Sequence, residues 1–214
     1  MKYQGGIQMK IEKFALGSLG TNSYLIINED TKELVVVDPA TCPDYIISHV
    51  KSNGYIPKAI FLTHGHFDHV MGIDGWVKEF DIPVYLHEEE KKVLEEPQLN
   101  LSGLFGTSYS YNKVKCLTDG QNLEVAGFTF GIIHTPGHTC GGCCYYCEEE
   151  GVLFSGDTLF YQSVGRSDFP TGSMGTLIRS IKEKLFCLPD DVMVYPGHND
   201  LTCIGDEKKY NPFI

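Results

Sequence analysis

Residues 63–69 read THGHFDH, which puts three imidazoles and one carboxylate (His64, His66, Asp68 and His69) within six residues. Neutral imidazole and carboxylate are the donors that Zn²⁺, Fe and Mn accept. In an extended segment, side chains two apart point the same way, so His64 and His66 can share one ion. Asp68 and His69 follow directly and can turn toward a second. A lone histidine is usually a satisfied core or surface residue, but a cluster this dense is better explained as a metal site.

Further groups of the same chemistry stand at the ends of apolar runs. FTFGII ends in His134, with His138 soon after; GVLFSG ends in Asp157; VMVYPG ends in His198. A rigid sheet that releases ligand side chains from its strand ends can hold them in fixed geometry. The stretch HTPGHTCGGCCYYC (134–147) raises a separate question, because Cys140 and Cys143, and Cys144 and Cys147, each have C-x-x-C spacing. If CGGCCYYC is a strand, alternation puts Cys140, Cys144 and Tyr146 on one face and Cys143, Tyr145 and Cys147 on the other. Each pair is then split across the sheet, which makes a poor chelate and a poor disulfide. Small buried thiols are the expectation.

The elements that must carry these groups are short. YLIIN (24–28), LVVVD (34–38), AIFLT (59–63) and PVYLH (83–87) read as strands, as do the three runs above, and MKIEKFALG from Met9 begins another. PDYIISHVKSNG (43–54) reads as a helix with Ile46, Ile47 and Val50 on one face and Asn53-Gly54 as its stop. HEEEKKVLEEP (87–97) and GTLIRSIKEKLFCL (175–188) read as two more. The Gly-, Ser- and Tyr-rich stretch from Asn100 to Lys113 is either a functional loop or a solvated excursion.

Composition narrows the class. The chain has 214 residues, 42% hydrophobic and 21% charged, with a formal net charge of −11. One domain over 1–214 is expected, with residues 1–8 a candidate extension before an alternative start at Met9. No basic run is present to hold nucleic-acid phosphates, and no apolar run matches a membrane span. The eight cysteines, with no export signal ahead of them, point to a reducing cytoplasm.

THGHFDH, then HTPGHT, then SGDTLF, then PGH, in that order, resemble the metallo-β-lactamase superfamily. Within it the chain resembles the glyoxalase II branch, the hydroxyacylglutathione hydrolases, in the short single-domain bacterial form: it ends about sixteen residues after PGH. TNSYLI and VVVDP also fit, and the likeness runs from about Leu19 to the end. The resemblance implies an α/β fold, a four-layer αββα sandwich with the metal site at one edge of the sheets.

The same resemblance implies two divalent ions per chain, zinc first, with iron and manganese accepted by the same donors. His64, His66 and His138 would hold one ion, Asp68, His69 and His198 the other, and Asp157 would bridge them. Asp157 and Asp68 would also be catalytic, Asp157 by fixing a bridging hydroxide and Asp68 as a ligand first and a proton handler second. His134 is not a family ligand and is expected to be structural. Arg166, in GRSD (165–168), stands where relatives place a lysine that meets a glutathione carboxylate. It is the candidate substrate-binding residue, against a competing reading as an ion pair inside that loop.

The implied reaction is hydrolysis of a small-molecule thioester, an S-acylglutathione such as S-lactoylglutathione or a related one. A thiolate leaves without a strong acid, its thiol pKa being about 8.5. In the β-lactamases proper a cysteine often stands at the place of Asp157, so the aspartate points away from antibiotic hydrolysis. Two other readings stay open. One is a mononuclear-iron persulfide dioxygenase of the same superfamily. The other is a non-catalytic metal-binding module using the eight cysteines.

Overall fold

The protein was analysed as a computed structural model that describes residues 8–214. The expectation for an extension before Met9 therefore lies, up to residue 7, outside the described residues. Met9 itself opens the first strand.

The first half builds one sheet from β1 (Met9–Leu16), β2 (Thr21–Asn28), β3 (Glu33–Val37), β4 (Ile56–Phe61), β5 (Val84–His87) and β6 (Val114–Leu117), in that spatial order. β2 and β3 are covered on both faces, which is why TNSYLIIN and ELVVV carry so few charges. Helix α1 (Asp44–Ser52) starts after an extended Pro43 and stops at Asn53. It buries Ile46 and Val50, as its periodicity requires. Three shorter helices, α2 (Phe67–Val70), α3 (Ile73–Phe80) and α4 (Lys91–Glu95), follow the strands of this half.

The second half contributes β7 (Asn122–Val125), β8 (Phe128–His134), β9 (Cys143–Cys147), β10 (Val152–Gly156), a small ribbon of β11 (Leu159–Phe160) and β12 (Ser163–Val164), then β13 (Met193–Pro196) and β14 (Thr202–Cys203). Its sheet runs β14-β13-β10-β9-β8-β7. Helices α5 (Met174–Glu183) and α6 (Ile204–Tyr210) cover it.

Three apolar layers hold the sandwich together. Between the sheets, Tyr24, Ile26, Val35, Val37 and Phe61 meet Phe128, Phe130, Cys143, Tyr145 and Phe154. Outside the first sheet, Leu25, Ile27 and Val36 pack with Ile46, Val50, Ile73 and Trp76. Outside the second, Leu153 and Val194 pack with Leu177, Ile181 and Ile204. The order helix, sheet, sheet, helix is the expected αββα arrangement. Among the described residues, no helix is long and apolar enough to cross a membrane.

The cysteine-rich run divides as alternation demands. Cys143 and Cys147 face the inter-sheet core and Cys144 faces the helix layer. All eight cysteines are free thiols. The expectation fails at Cys140, because the strand begins only at Cys143. Gly141 passes too close to the Glu90 backbone for a strand partner, and a Cβ there would sit 2.1 Å from the Glu90 nitrogen.

Candidate metal centre

The ligand-type residues converge where the ends of the two sheets meet. His64 and His66 leave the end of β4, Asp68 and His69 sit in the first turn and a half of α2, and His138 follows β8. Asp157 follows β10, and His198 follows β13. The structure thus brings together all seven residues singled out in the sequence. His64, His66 and His138 form one cluster, and Asp68, His69 and His198 another, each with donor atoms within 4.8 Å of one another.

Asp157 lies between the clusters. Its Oδ1 is 3.5 Å from His69 Nε2, and its Oδ2 is 3.6 Å from both His138 Nε2 and His198 Nε2. Asp68 Oδ2 is 3.3 Å from His198 Nε2 and 3.5 Å from His69 Nε2. A third grouping, Asp38 with His64 and His69, also has donor atoms within 4.8 Å of one another. The Asp38 carboxylate is already taken: it accepts from the Thr63 amide at 2.8 Å and the Thr63 hydroxyl at 2.6 Å, and faces His69 Nδ1 at 2.8 Å. Asp38 therefore orients His69, presenting its Nε2 to the centre.

Second contacts fix other rings in the same way. His138 Nδ1 lies 2.6 Å from the Arg166 carbonyl, which leaves His138 Nε2 facing inward, 2.9 Å from His66 Nδ1. The buried His64 Nε2, His69 Nε2 and Asp157 Oδ1 have no hydrogen-bond partner. Buried polar atoms are nearly always satisfied, and several orphans aimed into one space are what a cation would satisfy.

Electrostatics agree. Burial, reinforced by neighbouring imidazoles, holds His64 well below the usual histidine range. Burial likewise depresses His66 and His138. All three are held as neutral rings, the form a metal requires. At His69 burial opposes the charge, but the carboxylates of Asp68, Asp157 and Asp38 outweigh it and raise the ring to about 10. Burial also opposes ionisation of Asp68, but His69, His198 and the Thr21 hydroxyl hold it below the usual carboxylate range. That corner demands a positive charge, whether a proton or a metal ion. The residues fit divalent ions.

Some important residues were not assigned a role from sequence. Asp38 appeared only inside VVVDP. Thr21 donates to Asp68 Oδ2 at 2.8 Å. Glu90 is fully buried, accepting from the Gly65 amide with one oxygen and from the Gly141 amide with the other, both at 2.8 Å. It ties the loop of His64 and His66 to the loop after His138. Burial raises its carboxyl to about 7 despite those two donors. Its signal was masked by the acidic run HEEEKK, which reads as the acidic start of a helix.

Two other expectations resolve locally. His134 stacks on His87, centroids 4.1 Å apart, and its Nε2 lies 3.0 Å from the Cys140 carbonyl, outside both clusters. Arg166 makes a two-pronged ion pair with Asp168, at 2.8 and 2.7 Å, and lies 3.9 Å over the Phe169 ring. A cleft of about 520 Å³ opens on the centre, with Arg166 on its wall. Leu101 and Phe105 line it too, so the 100–113 stretch puts two side chains on the cleft while Gly103–Ser108 stay exposed.

Residues 16–198 match the family described as the metallo-beta-lactamase superfamily, and the chain belongs to it. It is a metal-binding hydrolase by fold and site. It is 36% identical to the "Probable metallo-hydrolase YqgX" of Bacillus subtilis, over 96% of this chain and 98% of that one. It is 35% identical to the "Hydroxyacylglutathione hydrolase GloC" of Haemophilus influenzae, with the same coverages. Among solved structures, the BLEG-1 B3 metallo-beta-lactamase is 42% identical with a TM-score of 0.90, covering 95% of this chain and 99% of that one. TTHA1623, solved in a di-iron-bound form, is 36% identical with a TM-score of 0.84, covering 95% and 100%.

Proposed function

We propose that this chain hydrolyses thioesters at a two-ion centre, with Asp157 shared between the ions. The observation that carries the reading is the Asp157 carboxylate spanning the two clusters, 3.5 Å from His69 on one side and 3.6 Å from His138 on the other. The name of the Haemophilus relative supports a thioester as the substrate, and the di-iron form of TTHA1623 supports two ions. Bound divalent ions would supply Lewis-acid polarisation of the carbonyl and a water acidic enough to attack at neutral pH.

The chain's own residues do the rest. Asp157 and Asp68 offset the positive charge of the centre. The Thr21 hydroxyl holds one Asp68 oxygen in place and helps keep the carboxylate ionised. Asp38 and the Arg166 carbonyl fix two imidazole orientations before substrate arrives. Leu101 and Phe105 put apolar surface beside the centre. Zinc is the first candidate ion, with iron and manganese accepted by the same donors.

A second reading is β-lactam hydrolysis. The aspartate at 157 speaks against it, but the 42% identity to BLEG-1 speaks for including it. The test is elemental analysis of protein purified without chelator, coupled to turnover of a thioester panel, a cephalosporin and a glutathione persulfide. Two ions and thioester cleavage are expected. A stoichiometry that stays at one with added Zn²⁺ or Mn²⁺ would overturn the two-ion centre. Full loading with no thioester cleavage would overturn the substrate class, and oxygen uptake with the persulfide would put the mononuclear-iron reading in its place.

A further inference from the structure

We infer that the thioester taken by this centre carries an apolar, uncharged acyl group, and that the charged groups of a glutathione carrier contribute little to its recognition. This rests on the thioester reading and adds the substrate class.

The cleft over the metal residues is walled by Leu19, Phe67, Leu101, Phe105, Phe160 and Phe169. These come from separate parts of the chain: the β1–β2 turn, the start of α2, the 100–113 loop, the β11–β12 ribbon and the segment after GRSD. Five segments converging on one site with apolar side chains is a built surface. Phe67 and Phe105 lie against each other with centroids 4.5 Å apart. Phe105 nevertheless leaves 60% of its surface open, and the adjacent Leu104 72%. The loop that presents them is anchored at both ends: Asn100 donates to the Leu94 and Tyr109 carbonyls, and the Tyr109 amide donates to the Ser102 hydroxyl. Large apolar side chains fixed open at the mouth of a reactive site are what an apolar ligand would cover.

Cations for a charged carrier are few. Apart from the metal residues, the polar lining is Ser163, Arg166 and Asn199. Asp168 pairs with Arg166 through Nε and Nη2, which offsets the guanidinium charge and leaves only its Nη1 edge for a ligand carboxylate. Near the rim, the Lys13 Nζ lies 3.4 Å from the Asn199 carbonyl. Glutathione brings two carboxylates, and among the described residues the one cation lining this wall is already paired with Asp168. An acyl chain finds aromatic surface directly beside the centre.

The experiment uses the metal-loaded full chain and measures kcat/KM on the acetyl, butyryl, hexanoyl and phenylacetyl thioesters of N-acetylcysteamine, an uncharged thiol, with S-lactoylglutathione alongside. Burial of each added methylene predicts a gain of about fourfold, and the hexanoyl ester should outrun S-lactoylglutathione. Phe105→Ala and Phe169→Ala should each collapse the hexanoyl-to-acetyl ratio by tenfold or more while metal content is retained, because a general defect would lower both esters together. A flat chain-length profile, an unchanged ratio in both variants, or an Arg166→Ala loss tenfold greater on S-lactoylglutathione than on the neutral esters would each overturn the inference. Binding of two unreactive thioethers, S-hexyl-N-acetylcysteamine and S-methylglutathione, is measured in parallel. Tighter binding of the first supports the apolar wall even if no thioester is cleaved, and tighter binding of the second refutes it. Failure of the hydrolase reading and failure of this one are thereby read separately.

Discussion

The loop that carries His198 is held from the opposite sheet, and the hold can be measured. The Pro196 carbonyl, two residues before His198, accepts from the Tyr24 hydroxyl at 2.7 Å and from Asn22 Nδ2 at 2.9 Å. Asn22 Nδ2 also reaches the Asn199 carbonyl at 3.0 Å, and the Asn22 amide donates to the Gly197 carbonyl at 2.7 Å. Tyr24→Phe removes one buried bond and should cost about 1 kcal/mol; Asn22→Ala removes two and should cost about 2 kcal/mol. Each single change leaves the Pro196 carbonyl one side-chain donor. The double change removes both, and a buried acceptor deprived of its partners costs a further ~1–3 kcal/mol. The pair should therefore lose about 4–6 kcal/mol in urea unfolding of metal-loaded protein, more than the sum of the singles. Ion affinity, read by competition with a chromophoric chelator, should fall at least tenfold for one ion and little for the other, since the His64–His66–His138 cluster does not use this loop. Additivity within about 0.5 kcal/mol, or equal loss of both ions, would refute the reasoning.

Other outcomes follow from the same structure. Asp157→Asn keeps the shape but removes the charge facing both clusters; thioester turnover should fall by a factor of at least about 10² with weakened loading of both ions, and a loss under tenfold would remove Asp157 from its bridging place. Cys143→Ala and Cys144→Ala should leave metal stoichiometry unchanged and cost about 1–2 kcal/mol through lost packing in urea melts; ion loss in either would put the thiols back in the metal site. Glu90→Gln leaves one of the Gly65 and Gly141 amides without an acceptor, costing about 1–3 kcal/mol. Because burial raises the Glu90 carboxyl from 4.5 to about 7, folding takes up a proton between those values. That stability is complete below 4.5 and lost as pH rises through 7, so the advantage of wild type over the variant should shrink across this window in chelator-treated protein. A constant difference from pH 4.5 to 7.5 would contradict it.

Legibility in the sequence followed the range of each interaction. THGHFDH announces itself because four donors are neighbours in the chain. His138, Asp157 and His198 are separated by long stretches, and only their places at strand ends and the family resemblance joined them to it. Asp38 and Glu90 were unreadable as functional, because what they do depends on partners 25 residues or more away: Thr63 and His69 for one, Gly65 and Gly141 for the other. The Cys143–Cys147 alternation was readable because period two is a local property of strands. The break at Cys140 was not, since it comes from the backbone of a distant loop. β6 (VKCL) and β7 (NLEV) escaped notice for want of an apolar run, as did α3, whose IDGWVKEF hides behind Gly72.

The two six-stranded sheets do not exchange strands: β1 to β6 make up the first, and β7 to β10 with β13 and β14 the second, the β11–β12 ribbon standing apart. His64, His66, Asp68 and His69 therefore sit on one side of a single chain crossing, and His138, Asp157 and His198 on the other. A polypeptide cut at that crossing would part into two pieces, each with a whole sheet and neither with a whole donor cluster. Ion capture and the joining of the pieces are then thermodynamically reciprocal, each tightening the other by the same factor. Free ion concentration would set whether such a split protein reassembles, and a nick at the crossing would turn a metalloenzyme into a metal-gated association of two fragments.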